Sequence, residues 1–329
     1  MKKIINDAGL VVTEMLEGIG RANPQLVYYR ELEVIARREK RQGKVGLVSG
    51  GGSGHEPAHA GYVGDGMLDA AAAGNVFSSP SPDRVLKGIQ EADTGAGVLL
   101  VIKNYSGDIM NFEMAKDLAE MDGIRVESVV VRDDVAVPES TYSTGRRGIA
   151  GTVFVHKCAG ARAAQGASLE EVKAAAQKTI DNVRSMGMAM TPCILPGVGK
   201  AGFALGENEI EIGMGIHGEP GVERTGVQTA EELAKTLTDR LFADYDYGGS
   251  EIALMINGLG GTPLMELYIL NNEVSKLLEA ANIRIHRTYV GNYMTSLEMS
   301  GCSVTLLKLD AQLKELIDYP CATPALTQL

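Results

Sequence analysis

The chain has no tryptophan, few aromatic side chains of any kind (5%) and only four cysteines among its 329 residues. Cys158, Cys193, Cys302 and Cys321 stand far apart and form no C-x-x-C pair, so they read as reduced, mostly buried thiols of a cytoplasmic protein. Clusters of Lys and Arg are missing too. The 31 basic and 42 acidic residues leave a formal net charge of −11 without blocks of like charge, which argues against a nucleic-acid binder, because phosphate neutralisation needs grouped cations. No uncharged apolar run approaches the roughly 18 residues that a membrane span requires. Met1–Asp7 has two lysines with no apolar core behind them, so no signal peptide is expected.

Forty glycines, with 45% hydrophobic residues, indicate a globular chain with many tight backbone turns. Its length predicts two domains of roughly 150 residues each. Short β-branched runs at 44–49, 97–102 and 126–131 alternate with helical patterns at 81–91 and 111–121. That alternation implies parallel strands with crossover helices. A long helical pair follows, at 149–164 and 168–186. Its second member opens on a capping box, with Ser168 at the N-cap and Glu171 at N3. The stretch 191–197, with two prolines and a glycine, breaks the rhythm. Beyond it come a half-exposed strand at 209–214, a helix at 229–242, a strand at 252–257, a helix at 264–281 and strands near 283–290 and 303–307. The expected fold is therefore two α/β domains. Residues 1–190 form a mostly parallel open sheet flanked by helices, and 191–329 a smaller α/β domain.

The densest motif is the run from Ser49 to His59, S-G-G-G-S-G-H-E-P-A-H, which follows a strand and is expected to lead into a helix. A P-loop needs Gly-Lys-Ser/Thr at its end, a nucleophile elbow needs Gly two residues after the serine, and a dinucleotide fingerprint needs Gly at 55. His55 breaks all three. His55 to His59 does match H-E-x-x-H, the zinc-protease pattern, but that chemistry needs both histidines on one face of a continuous helix. With Pro57 at the first helical position, His55 lies in the glycine loop and cannot share a face with His59. No metal site is expected. His55 is instead presented by glycines as a functional group, and His59 as an ordinary hydrogen-bonded residue.

Lys103 and Asp108 leave the carboxyl end of the 97–102 strand, where ligands of open α/β sheets bind. The loops after residues 48 and 102 are expected to converge on one crevice there. Asp108 reads either as a helix N-cap or as a carboxylate of that crevice. His217 lies among small residues in Gly213–Gly221, after a strand, and reads either as structural or as half of a histidine pair with His55. Neutral imidazoles can serve as base and nucleophile near pH 7. Asn257–Pro263 joins a strand to a helix and reads as a βα turn, with an anion site or a chain contact as alternatives.

Taken together, the Ser49–His59 run, G-N-V-F-S-S-P at 74–80, Lys103-Asn104-Tyr105 with Gly107-Asp108, G-R-R-G-I-A-G at 145–151 and G-I-H-G-E-P-G at 215–221 resemble the substrate-binding K subunit of the dihydroxyacetone kinase family, of its phosphotransferase-system-dependent type. The resemblance runs over essentially the whole chain. It implies that His217 holds dihydroxyacetone as a hemiaminal, that His55 takes the proton of the attacking hydroxyl, and that Asp108 assists as acid/base. Gly52, Ser53, Gly54, His55, Lys103 and Asp108 would contact the substrate. The chain shows no Walker motif, no kinase glycine loop with its lysine and no aspartate cluster for Mg²⁺–nucleotide. No cofactor is therefore expected on it, and ADP or ATP with Mg²⁺ would sit on a separate L-type nucleotide-binding subunit. That partner would be recharged through an M-type phosphotransferase-system protein, and the subunit itself would be a cytoplasmic homodimer. Some family members instead bind the ketone as non-catalytic transcriptional co-activators, which is the alternative function.

Overall fold

The computed structural model describes residues 2–138, 145–199 and 201–329. Met1 of the N-terminal segment lies outside them.

The first half builds α1 (Val11–Ala22), β1 (Leu26–Tyr29), β2 (Val34–Arg37), β3 (Gly46–Ser53), β4 (Ala70–Val76), α2 (Pro82–Ala92), β5 (Val98–Lys103), α3 (Ser106–Met121) and β6 (Val126–Val131). Its six strands lie in the order β1-β2-β4-β3-β5-β6. The run β4-β3-β5-β6 is parallel, and β2 pairs antiparallel with both β1 and β4. Side chains alternate across this sheet as a period of two dictates. Val48, Val98, Leu100 and Ile102 face α2 and α3, whereas Leu47, Leu99 and Val101 face the other way.

That other face meets α4 (Thr152–Ala164) and α5 (Leu169–Asn182). A second six-stranded sheet lies beyond them. It is built from β7 (Val183–Ala189), β8 (Glu209–Ile212), β9 (Glu223–Gly226), β10 (Glu251–Gly258), β11 (Arg284–Gly291) and β12 (Gly301–Leu309), in the order β11-β10-β12-β7-β8-β9. Only β10 and β11 pair in parallel. Ala253, Met255 and Leu307 of this sheet join the same core as α4 and α5. Its outer face packs on α6 (Ala230–Asp244) and α7 (Leu264–Ala280), and α8 (Ala311–Asp318) packs on α4. The result is five layers, with helices outside and between two sheets. Every residue of α4 except Arg162 is buried, His156 and Lys157 included.

The α/β class and most element positions agree with the sequence reading. The helix expected to run to Met186 ends at Asn182, and Val183 starts β7. Its start is fixed by the Ser168–Glu171 box, but no glycine or proline marks its end, and the β-branched Val183 finds a better place against Leu307 of β12. The helix expected after the glycine loop is absent. Residues 56–59 form turns, with the Ala58 N–H donating to His55 O at 3.1 Å, and only a 3₁₀ turn, Ala60–Tyr62, follows. Glu56 folds its carboxylate back on the Gly54 N–H, at 3.0 and 3.1 Å, and Pro57 has no N–H to extend a helical ladder. Among the described residues, no helix is long and apolar enough to cross a membrane.

Candidate active site

Strand β3 is flanked by β4 on one side and β5 on the other, so the chain reverses its direction of winding between β3 and β5. Such a switch point leaves a crevice at the carboxyl ends of the strands. The loop after β3 delivers His55 to it, and the end of β5 with the start of α3 delivers Lys103 and Asp108. The expected convergence is therefore present. A Cβ added to Gly51 would stand 2.9 Å from Lys103 Nζ and 3.6 Å from Asp108 Oδ2, so glycine there lets both charged groups lie against the strand. Lys103 Nζ is 3.9 Å from Asp108 Oδ2, and both side chains are buried. Asp108 lies in the first turn of α3, whose N-cap is Tyr105, so the N-cap reading of Asp108 is set aside.

The second sheet supplies the other half. His217 lies in the loop after β8, with its ring centroid 4.6 Å from that of His55. Phe77 and Tyr105 close in edge-on at 5.4 and 4.5 Å, and Phe77 also stacks on His55 at 5.1 Å. Phe77 has a φ of 56°, a left-handed conformation that is costly for a bulky residue and concentrates at functional sites.

The hydrogen bonds fix both ring tautomers. His55 Nδ1 is 2.8 Å from Thr295 O, and a carbonyl only accepts, so Nδ1 carries the proton and Nε2 the lone pair. Thr295 belongs to the β11–β12 connection, which grips the glycine loop through Thr295 N–H to His55 O at 3.2 Å and Leu297 N–H to Gly54 O at 2.7 Å. His217 Nδ1 donates to Glu219 Oε1 at 3.0 Å, while its backbone N–H donates to Glu219 Oε2 at 2.9 Å. The neutral ring thus has its lone pair at Nε2. Burial disfavours ionised Glu219, but His217, a backbone N–H and the Arg147 guanidinium outweigh it and hold the carboxyl down to about 2. Burial, then the positive charge of Lys103, pushes His55 well below the ordinary histidine range and keeps it neutral. Burial lowers Lys103 as well, against the opposing pull of Asp108 and Glu219. His55 Nε2, Lys103 Nζ, Tyr105 Oη and Asp108 Oδ1 are buried and have no hydrogen-bond partner among the described residues.

His59 is elsewhere. Its Nδ1 lies 3.0 Å from His156 Nε2 of α4 and 3.3 Å from Ser49 Oγ, whereas His55 turns to Thr295. Without a helix the two histidines share no face, which removes the zinc-protease reading. Ser53 donates to Gly74 O at 2.8 Å and braces the loop against β4. The Asn257–Pro263 segment is a βα turn held to β12, with Thr262 Oγ1 donating to Gly301 O at 2.7 Å. Reasoning from single motifs missed Glu219, Phe77, Tyr105 and Thr295. Glu219 alone had a local signal, a carboxylate two residues from a histidine in a glycine turn.

A Dak1 domain model matches residues 17–325. The chain is 54% identical, over 99% of its length and 100% of the relative's, to the "PTS-dependent dihydroxyacetone kinase 1, dihydroxyacetone-binding subunit DhaK" of Listeria innocua. Among solved structures, the native dihydroxyacetone kinase of C. freundii superposes with a TM-score of 0.93 at 36% identity, covering 99% of this chain and 60% of that one. The "dihydroxyacetone kinase operon co-activator Dha-DhaQ" superposes with a TM-score of 0.92 at 37% identity, covering 96% and 98%.

Proposed function

The chain belongs to the Dak1 domain family, and from that premise we propose that it is the dihydroxyacetone-binding subunit of a dihydroxyacetone kinase, a phosphotransferase, with His217 holding the ketone as a hemiaminal. The observation that carries this reading is the His217–His55 pair, 4.6 Å apart with both Nδ1 atoms engaged and both lone pairs left at Nε2.

His217 Nε2 adds to the ketone carbon. The C–N bond forms, the carbonyl π pair moves to oxygen, and that oxygen takes a proton from solvent, relayed by Asp108 beside the Lys103 ammonium. The positive charge reaching the ring is balanced by Glu219, already hydrogen-bonded to Nδ1. His55 Nε2 then accepts the proton of the terminal hydroxyl as its oxygen bonds to phosphorus, while the phosphorus–oxygen bond to the donor breaks and its electron pair leaves with the donor. Gly52, Ser53 and Gly54 line the substrate oxygens with backbone. The four partnerless polar atoms of the crevice suit a small, oxygen-rich ligand, because a buried polar group left unpaired costs about 1–3 kcal/mol. A triose offers few atoms for binding, and even the best small ligands gain only about 1.5 kcal/mol per heavy atom. A reversible bond to a carbonyl adds strength and rejects glycerol, which has none. It also fixes the hydroxyl for in-line transfer.

The phosphoryl donor is a nucleotide with Mg²⁺ on a separate L-type subunit, recharged through an M-type phosphotransferase-system protein, and this subunit works as a cytoplasmic homodimer. The "PTS-dependent" name of the Listeria relative supports the first part. Native mass spectrometry after incubation with dihydroxyacetone is expected to show one triose per chain, and none in His217→Ala. A full adduct in that variant would refute the reading. A second reading, a ketone-binding co-activator, is favoured by the likeness to Dha-DhaQ. The presence of both His55 and Asp108 favours the enzyme, and complementation of a strain lacking the kinase subunit separates the two.

A further inference from the structure

Arg147 lies between β6 and α4 and is 8% exposed. Its Nε donates to Asp134 Oδ2 at 2.7 Å and its Nη2 to the Gly213 carbonyl at 2.7 Å. Asp134 is itself tied down: it accepts the Ala136 N–H at 3.0 Å, and its own N–H donates to Arg147 O at 3.1 Å. Two of the three guanidinium nitrogens are thereby fixed, so the planar fork cannot swing. The third, Nη1, lies across Gly215 from the Glu219 carboxylate. A Cβ on Gly215 would fall between Arg147 Nη1, at 2.6 Å, and the Glu219 carboxylate, so glycine at 215 is what lets the two groups approach across the backbone. Glu219 in turn accepts both the ring and the backbone N–H of His217.

The charge state of Glu219 decides which atom of His217 can react. An ionised carboxylate only accepts, which keeps the ring proton on Nδ1 and the lone pair on Nε2. A protonated Glu219 would offer an O–H to Nδ1, move the ring proton to Nε2 and remove the nucleophile. Burial pushes toward that neutral form. Resting on the reading of His217 as the covalent residue, we infer that Arg147 is a positioning residue for it. Arg147 anchors the loop at the Gly213 carbonyl and sets its charge across Gly215 from Glu219, beside the His217 contacts of that carboxylate, so that His217 presents Nε2 to the ketone. The arginine touches neither substrate nor the reacting atoms. It acts through the carboxylate, and it also ties the His217 loop to the segment that follows the first sheet.

The test is ¹⁵N NMR of the histidine rings in the ligand-free protein, combined with native mass spectrometry of dihydroxyacetone retention. Arg147→Gln is expected to convert part of the His217 population from Nδ1–H to Nε2–H and to weaken retention about tenfold. Arg147→Lys, which restores charge without the fork, should lie between. Combined with Glu219→Gln, Arg147→Gln should cost nothing further, because both act through one carboxylate. An unchanged His217 tautomer in Arg147→Gln, or losses that multiply in the double variant, would overturn the inference. If Arg147→Gln does not fold, Asp134→Asn unties the guanidinium instead, and the same tautomer shift is expected. An unmoved ring there would count equally against the inference. The NMR result needs no substrate, so a wild-type protein that takes up no ketone would refute only the covalent reading.

Discussion

At the scale of single residues, the crevice is built by what is absent as much as by what is present. Gly51 has no side chain, and Lys103 and Asp108 occupy the space a Cβ would need. Gly51→Ala is therefore expected to displace the ammonium and weaken dihydroxyacetone retention about a hundredfold, the usual cost of an ångström-scale misplacement. Wild-type retention by native mass spectrometry would refute that. His55 and Lys103 could be placed at the crevice from the sequence because each follows a β-branched strand, where open sheets put ligands, whereas Asp108 was one of two readings. His217 was legible only as one of two readings, since nothing local says that its loop meets His55. Phe77, Tyr105 and Thr295 were not legible as site residues at all. Their roles come from distance in space, with Thr295 meeting a ring 240 residues away.

At the scale of elements, the capping box that the sequence shows at Ser168 and Glu171 fixes a helix start, whereas the N-cap reading of Asp108 fails because Tyr105 takes that place. Thr229 with Glu232 forms a second reciprocal box, one the sequence reading did not single out, in which side chain and backbone satisfy each other. Thr229→Ala removes the acceptor for the Glu232 N–H at 3.3 Å and should cost about 1 kcal/mol of stability, read as a lower denaturant midpoint with an unchanged slope. An unaltered midpoint would show that the outer layer does not need this cap. Elements without such punctuation went unseen or were extended too far. The α5-to-β7 passage has no breaker residue, β1 and β2 are only four residues long, and β4 is alanine-rich, so their pairing is set by neighbours rather than by β-branched composition.

At the scale of the whole molecule, the interior holds three histidines that resist protonation. Burial and the charge of Lys103 lower His55, His59 and His156, the last to about 3. The unfolded chain binds these protons near the ordinary histidine value of about 6.5, so below that pH it carries more protons than the folded form. Stability is therefore full above about 6.5 and falls as the pH drops toward about 3, with Glu219 adding to the loss below its ordinary range. Denaturant midpoints measured from about pH 7 down to about 4 should decline throughout, and less steeply in His156→Asn. A flat profile would mean that water reaches these rings.

The α/β class was readable from alternating strands and helices, but the five layers were not. The sequence marks 149–164 as one helix of a pair without saying that two different sheets cover it. That arrangement has a consequence for how the protein fails on warming. His55 hangs from one sheet and His217 from the other, with α4 and α5 seated between the sheets. The pair acts as a calliper on that seating, and a slight loosening of the middle layer would spread its jaws before any strand or helix melts. Ketone capture should then vanish several degrees below the temperature at which circular dichroism registers unfolding.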